Sequence, residues 1–187
     1  MEAKIKKKWS EVSKYYLLFM LFSLLGWVWE TVYIWFASGK LYDRGFMTLP
    51  FCPIYGLGVM SAYFLLGTPQ QGKGILKNVE GSYRRMALYL LFAFLIPTLA
   101  EYAVGYVFDK AFSLRLWSYA GRPLNINGYV CIPVSVVWSV ALTTVMRFVF
   151  LPLKRLVFRI SDKLSVILAV TLFVAMAWDT VWNFTKL

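Results

Sequence analysis

The sequence predicts an all-α polytopic membrane protein with about five transmembrane helices, its N-terminus inside and its C-terminus outside. Three observations carry this reading. Of 187 residues, 60% are hydrophobic and only 16% charged, which is too apolar for a water-soluble domain of this size. The apolar residues gather into five runs separated by basic or polar segments. Lys and Arg fall unequally on alternate connecting segments, as expected when cytoplasmic loops carry the excess of positive charge. The formal net charge of +11 therefore belongs to loops between spans rather than to the basic face of a soluble fold, and nucleic acid is not an expected partner. Histidine is absent from the chain, which removes the commonest neutral general base and the commonest metal ligand, and two cysteines do not make a zinc site. No metal and no cofactor is expected.

Residues 1–14 read as a basic cytoplasmic N-terminus with five lysines, and 15–187 as a single transmembrane helical domain. The first apolar run, about Tyr15 to Ala37, has the ~20 residues that cross a hydrocarbon core and is longer than the apolar region of a signal peptide, so it is read as a retained helix. The second, about Phe51 to Leu66, is short and rich in Gly and Pro, which predicts a broken or tilted span. A basic loop follows, Gly67 to Arg85, and its GTPQQGKG contains a formal GxxxxGK. A phosphate-binding loop needs a preceding strand and a Ser or Thr after the Lys, and here a span precedes it and Gly74 takes the hydroxyl's place. A flexible cytoplasmic loop is expected instead. The third span runs from about Met86 to Val107, with Pro97 as a kink. A polar segment, Phe108 to Gly128, leads to a fourth span at about Tyr129 to Pro152. A basic, partly amphipathic stretch from Arg147 to Lys163 then precedes a fifth span, about Leu164 to Asn183. No internal repeat is present.

Orientation follows from counting cations. Lys4, Lys6, Lys7, Lys8 and Lys14, then Lys73, Lys77, Arg84 and Arg85, then Arg147, Lys154, Arg155, Arg159 and Lys163 make fourteen on one side. Lys40, Arg44, Lys110, Arg115, Arg122 and Lys186 make six on the other. The N-terminus is thus predicted inside and, with an odd number of spans, the C-terminus outside.

Glu30, Glu101 and Asp179 lie inside apolar spans, and all three spans run outward. Each acid is about fifteen residues beyond its span's cytoplasmic start, so at 1.5 Å per residue the three share a depth of roughly 22 Å. A carboxylate at such depth costs at least a few kcal/mol unless it faces a bundle interior or wet cavity, paired or protonated. Arg44 and Arg115, from outer loops, are the expected partners. At i, i+3 and i+4 spacing, Trp27 and Tyr33 share a face with Glu30, Pro97 and Gly105 with Glu101, and Trp182 and Asn183 with Asp179. With Tyr55, Asn125 and Asn127 these residues suggest an outward-open cavity of carboxylates, indoles and phenols. The competing reading is that the acids only lock helices together, since polar contacts in membranes contribute ~0.6 kcal/mol on average. Trp9, Trp35 and Trp117 fit an interfacial aromatic belt. Cys52 and Cys131 fall at the outer starts of spans two and four, where a disulfide or two small buried thiols are the alternatives.

The run GWVWETVY, then DRGFMTLPFCPIYGLG, and later LWSYAGRPLNINGYVC resembles the family described as "Putative ABC-transporter type IV", membrane proteins found mainly in Gram-positive bacteria. The likeness covers roughly residues 16–150 and falls on Gly26, Trp27, Glu30, Arg44, Gly45, Phe46, Pro50, Pro53, Ile54, Tyr55, Gly56, Trp117, Tyr119, Asn125, Asn127, Gly128 and Cys131. Leu49 takes the place of a usual Gly, and Tyr129 stands where a basic residue is common. The resemblance implies a small permease-like subunit of the cell membrane, with the lipid bilayer and a separate ATPase subunit as partners.

The leading functional expectation is a membrane transport component whose outward site, built by Glu30, Arg44, Glu101, Arg115 and Asp179, takes a small polar or cationic molecule or a lipid head group. The alternatives are a membrane-embedded enzyme using buried carboxylates on a lipid-linked or extracytoplasmic substrate, with no recognisable nucleophile, and a non-catalytic subunit that grips a partner helix. The sequence leaves the oligomeric state open.

Overall fold

The computed structural model describes residues 2–39, 47–115 and 117–185. It is nearly all helical. The elements are α1 (Glu2–Ser38), α2 (Pro53–Leu66), a short 3₁₀ turn (Gly74–Leu76), α3 (Ser82–Phe112), β1 (Asn125–Ile126), β2 (Val130–Cys131), α4 (Ile132–Thr144), a π turn (Val145–Val149), α5 (Phe150–Phe158) and α6 (Asp162–Phe184). Four of the described helical stretches are long and apolar enough to cross a membrane: Ile5–Phe36, Ser82–Phe112, Ile132–Phe158 and Asp162–Phe184. The fifth apolar helix, α2, has 14 residues, about 21 Å of rise against a core of about 30 Å.

The chain forms two compact units. The first comprises Met1–Ser61 and Leu151–Leu187, the second Ala62–Phe150. In the first, α1 and α6 run parallel. Lys14 Nζ and Ser10 Oγ each donate to Asp162 Oδ1 at 2.6 Å, at the start of α6. Tyr16 meets Phe173 edge to face at 6.1 Å. Beyond the far halves of both helices, the segment Met47–Cys52 touches Glu30 of α1 and Asp179 of α6. About five spans are expected; α2, at 14 residues, is not among the helices long enough to cross by length and composition. The segment Met47–Cys52 that leads into it is bent, with the Phe51 N–H donating to the Leu49 carbonyl at 2.7 Å.

Two glycines let α2 lie against α1. A Cβ on Gly26 would fall 2.2 Å from the Tyr55 ring, and one on Gly56 would fall 2.5 Å from the Phe19 carbonyl oxygen and 2.4 Å from Ser23 Oγ. The second clash is with backbone, which cannot rotate away.

In the second unit α3 and α4 run antiparallel. Ser139 Oγ donates to the Leu90 carbonyl at 2.9 Å, inside a buried polar stripe of Ser135, Ser139 and Thr143 at four-residue spacing. Pro97 sits inside α3, which continues through it to Phe112.

Some boundaries differ from expectation. α1 begins at Glu2 because the basic N-terminal segment is itself a good helix former and leans on α6 through Ser10 and Lys14. The basic stretch from Arg147 continues the fourth helix as far as Phe158 through the π turn, whose Arg147 carbonyl accepts from Gln70 Nε2 at 2.5 Å. The loop read as flexible is ordered. Thr68 and Gln71 exchange backbone bonds at 3.0 Å, Tyr89 Oη donates to the Gly67 carbonyl at 3.2 Å, and Arg85 clasps the carbonyls of Gln70 and Val79. Lys73, the lysine of the formal GxxxxGK, donates to Tyr63 Oη at 2.9 Å, which ties it to α2.

Replacing Gly56 with Ala is expected to destabilise the fold by about 1–3 kcal/mol through overpacking, read as a drop in thermal midpoint in detergent. Gly58, which meets nothing within 4 Å of an added Cβ, tolerates the same change.

Candidate functional site

The membrane-embedded carboxylates acquire different partners from those the sequence suggests. Glu30 lies on the outer half of α1, half-buried, and its Oε2 accepts from the Cys52 thiol at 3.6 Å. Cys52 is held there because its backbone N–H donates to the Ser23 carbonyl at 3.0 Å. Asp179 of α6 is buried, at 7% exposure. Its Oδ2 accepts from the Leu49 N–H at 3.1 Å and its Oδ1 from Asn183 Nδ2 at 3.2 Å. Thr48 and Asn183 bond each other as well, at 3.2–3.3 Å. Both acids therefore hold one six-residue stretch of non-helical chain.

Their depths agree. Lys14 and Asp162 mark one level at the other end, joined by an ion pair of 2.6 Å. Glu30 lies 30 − 14 = 16 residues beyond the first and Asp179 lies 179 − 162 = 17 beyond the second, or about 24 and 26 Å of helix. Within this unit the two acids therefore stand at about the same distance from the Lys14–Asp162 level.

Trp27, one turn before Glu30, has its indole Nε1 buried with no hydrogen-bond partner among the described residues, and the same holds for Thr31 Oγ1 on the next turn. Tyr33 is 63% exposed and does not line an enclosed space with Glu30. Tyr55 packs over Gly26, a helix-packing role. Arg44, with Lys40, Asp43 and the rest of that loop, lies outside the described residues, as does Lys186.

In the second unit, the polar segment after α3 folds back along it as a hairpin. Asn127 and Gly128 both have positive φ, 54° and 74°, which suits a tight two-strand turn and explains the Asn-Gly pair. β1 and β2 pair antiparallel, Asn125 opposite Cys131 and Ile126 opposite Val130. The hairpin base docks on α3 through Gly105, where an added Cβ would come within 3.2–3.3 Å of the Tyr129 and Trp117 rings. Trp117 Nε1 donates to the Tyr129 carbonyl at 2.7 Å.

This places Tyr119 Oη on Glu101 Oε1 at 3.0 Å and Asn127 Nδ2 on Tyr102 Oη at 2.9 Å. Asn125 serves the turn, donating to the Arg122 carbonyl and accepting from the Gly128 N–H. Arg115 does not pair with an embedded acid. It donates to the Asn127 carbonyl at 3.1 Å and sits 5.4 Å above the Tyr129 ring. Tyr129 Oη in turn donates to Asp109 at 2.5 Å. Arg115 thus brings a positive charge to the Tyr129 ring. Leu49 is accommodated because its contact with Asp179 is made by backbone.

Tyr119, Tyr102, Asp109 and Thr48 were not among the residues singled out for a site. The signals were present: Asn127–Gly128 is a hairpin turn, and Tyr102 and Tyr106 stand four residues apart with their rings stacked at 6.3 Å, edge-on to Tyr129. Cys52 and Cys131 are both buried, Cys131 donating to the Pro123 carbonyl at 3.4 Å.

A family model described as "Putative ABC-transporter type IV" matches residues 17–184. The chain belongs to this family. The match takes in α6 with Asp179 and Asn183, beyond the motifs legible in the sequence. No curated protein and no solved structure matches the chain.

Burial, the adjacent Glu101 charge and the hydrogen bond to it push the Tyr119 phenol well above its usual range. A phenol whose folded pKa is raised stabilises the fold below the unfolded value near 10 and loses that contribution as pH rises through the folded value. Stability is therefore expected to decline above about pH 10, and Tyr119→Phe is expected to flatten that decline in a thermal-midpoint series from pH 8 to 12. Separately, alkylation with and without reductant is expected to modify two cysteines in denatured protein and few in native protein; reductant-dependent labelling of the denatured protein would show a disulfide.

Proposed function

We propose that the chain is the permease-like membrane subunit of a transport system in the cytoplasmic membrane, oriented N-terminus inside, and that its outer-half carboxylates recognise a small cationic or polar molecule or a lipid amine head group. The observation that carries this is the neutrality of their partners. Among the described residues the ion pair shown is Lys14–Asp162, near the basic end. The embedded acids instead accept from a thiol, a backbone amide, a carboxamide and a phenol. Neutral donors orient a carboxylate in hydrocarbon without cancelling its charge, so among the described residues these acids keep the capacity to take a cation or a proton. Family membership supports a transport role and, with it, a separate ATPase subunit as partner.

The test uses thermal stabilisation of the purified chain by ethanolamine, choline, spermidine and phosphatidylethanolamine in detergent. At least one amine is expected to stabilise the parent, and Glu30→Gln and Asp179→Asn are expected to remove the effect. Tyr83→Ala, at a side chain 94% exposed, retains it. Equal responses in parent and both acid variants would overturn the recognition role.

A further inference from the structure

The small polar stripe of α4 lies on the face packed against α3, and two of its three hydroxyls are accounted for. Ser139 Oγ donates to the Leu90 carbonyl of α3 at 2.9 Å, and Thr143 Oγ1 donates to the Ser139 carbonyl at 2.8 Å. Ser135 is different. It is 4% exposed, and its buried Oγ has no hydrogen-bond partner among the described residues. A hydroxyl in that state is costly anywhere, and more so at membrane depth, where bulk water does not reach.

What stands opposite follows from the antiparallel packing. The one turn from Ser139 back to Ser135 corresponds to one turn forward along α3 from Leu90 to Phe94, so Ser135 stands at the level of the Ala93–Phe94 peptide. One turn beyond that peptide is Pro97, inside α3. It has no N–H to give the Ala93 carbonyl, and its ring crowds that oxygen. The neighbouring Phe94 carbonyl takes the Thr98 hydroxyl at 2.6 Å. Side-chain hydroxyls and ordered waters are the usual means by which a membrane helix satisfies its backbone beside a proline. Ala93 is 2% exposed, so its carbonyl lies in the packed interior of the unit rather than toward lipid. An acceptor deprived of its helical donor and a hydroxyl without a partner therefore share one level of one interface, and they do not bond each other directly.

We propose that a single water molecule is bound in the α3–α4 interface at this level, donating one hydrogen bond to the Ala93 carbonyl and joined by a second to Ser135 Oγ. Water is the ligand class that fits. It is small enough for a packed helix interface, it donates to a carbonyl that can only accept, and it can donate to or accept from a hydroxyl. An anion would offer the carbonyl no donor. The inference rests on the packing of α3 and α4 and not on the transport role.

The experiment combines a mutant cycle with a direct reading of hydration. In the full chain in detergent, Ser135→Ala is expected to lower the thermal midpoint by about 2–4 °C, because the water loses an anchor and the Ala93 carbonyl its donor. In a Pro97→Ala background the restored N–H serves that carbonyl, and adding Ser135→Ala is expected to leave the midpoint unchanged or raise it. In water-edited solid-state NMR of the chain in bilayers, magnetisation is expected to reach the Ala93 carbonyl carbon several-fold faster than that of Phe22, a residue of α1 that is 3% exposed, and Ser135→Ala is expected to remove the difference. Should Pro97→Ala not fold, the NMR comparison decides alone. A gain in stability from Ser135→Ala in both backgrounds marks a dry, unpaired hydroxyl; no change in either marks a hydroxyl turned to a carbonyl of its own helix; an equal loss in both marks a role that does not involve the proline. Each of these outcomes, or an Ala93 carbonyl reached no faster than that of Phe22, overturns the inference.

Discussion

The contact on which the outer end of the first unit depends is the Leu49 amide on the Asp179 carboxylate. Non-helical backbone at membrane depth leaves N–H groups that lipid cannot satisfy, and a carboxylate there lacks the water that would solvate it. Each is costly alone, and here one supplies the donor the other needs. The Cys52 amide finds the Ser23 carbonyl in the same way. Cys52 and Leu49 thus bring the chain back against α1 and α6 where α2 begins.

The second unit repeats the principle with other chemistry. Its hairpin covers α3 through tyrosines and a tryptophan whose polar tips land on Glu101, Asp109 and backbone carbonyls. Aromatic residues suit this layer because the ring tolerates apolar neighbours while the hydroxyl or indole N–H completes a hydrogen bond. Gly105 is small so that two rings can approach the helix.

The fold was largely legible in the sequence because hydrophobic runs of span length report a solvent directly. Glu30 and Asp179 could be given a common depth because rise per residue in a helix is nearly constant, and the parallel packing of α1 and α6 bears that out. Partners were harder. Arg115 looked like the natural counter-ion for an embedded acid on charge alone, but the hairpin turn at Asn127–Gly128 aims it at Tyr129. Such pairings arise from turn geometry rather than periodicity. The loop from Gly67 also misled, because Gly and Gln suggest flexibility while its order comes from carbonyls bound by Arg85 and Tyr89, distant in sequence.

The π turn at Val145–Val149 has a consequence for helix phase. One surplus residue in a helical turn rotates all that follows by about 100° relative to an uninterrupted helix. Phe150, fully buried at the end of the turn with its ring 4.4 Å from that of Tyr63, is therefore out of the register that a straight helix would give it relative to the small polar stripe of Ser135, Ser139 and Thr143. Gln70, by occupying the Arg147 carbonyl, acts as the pin of that angular offset. Removing a single residue from the turn would take out the bulge and leave the residues after it facing as they do, whereas the same deletion elsewhere in the helix would turn them by about 100°.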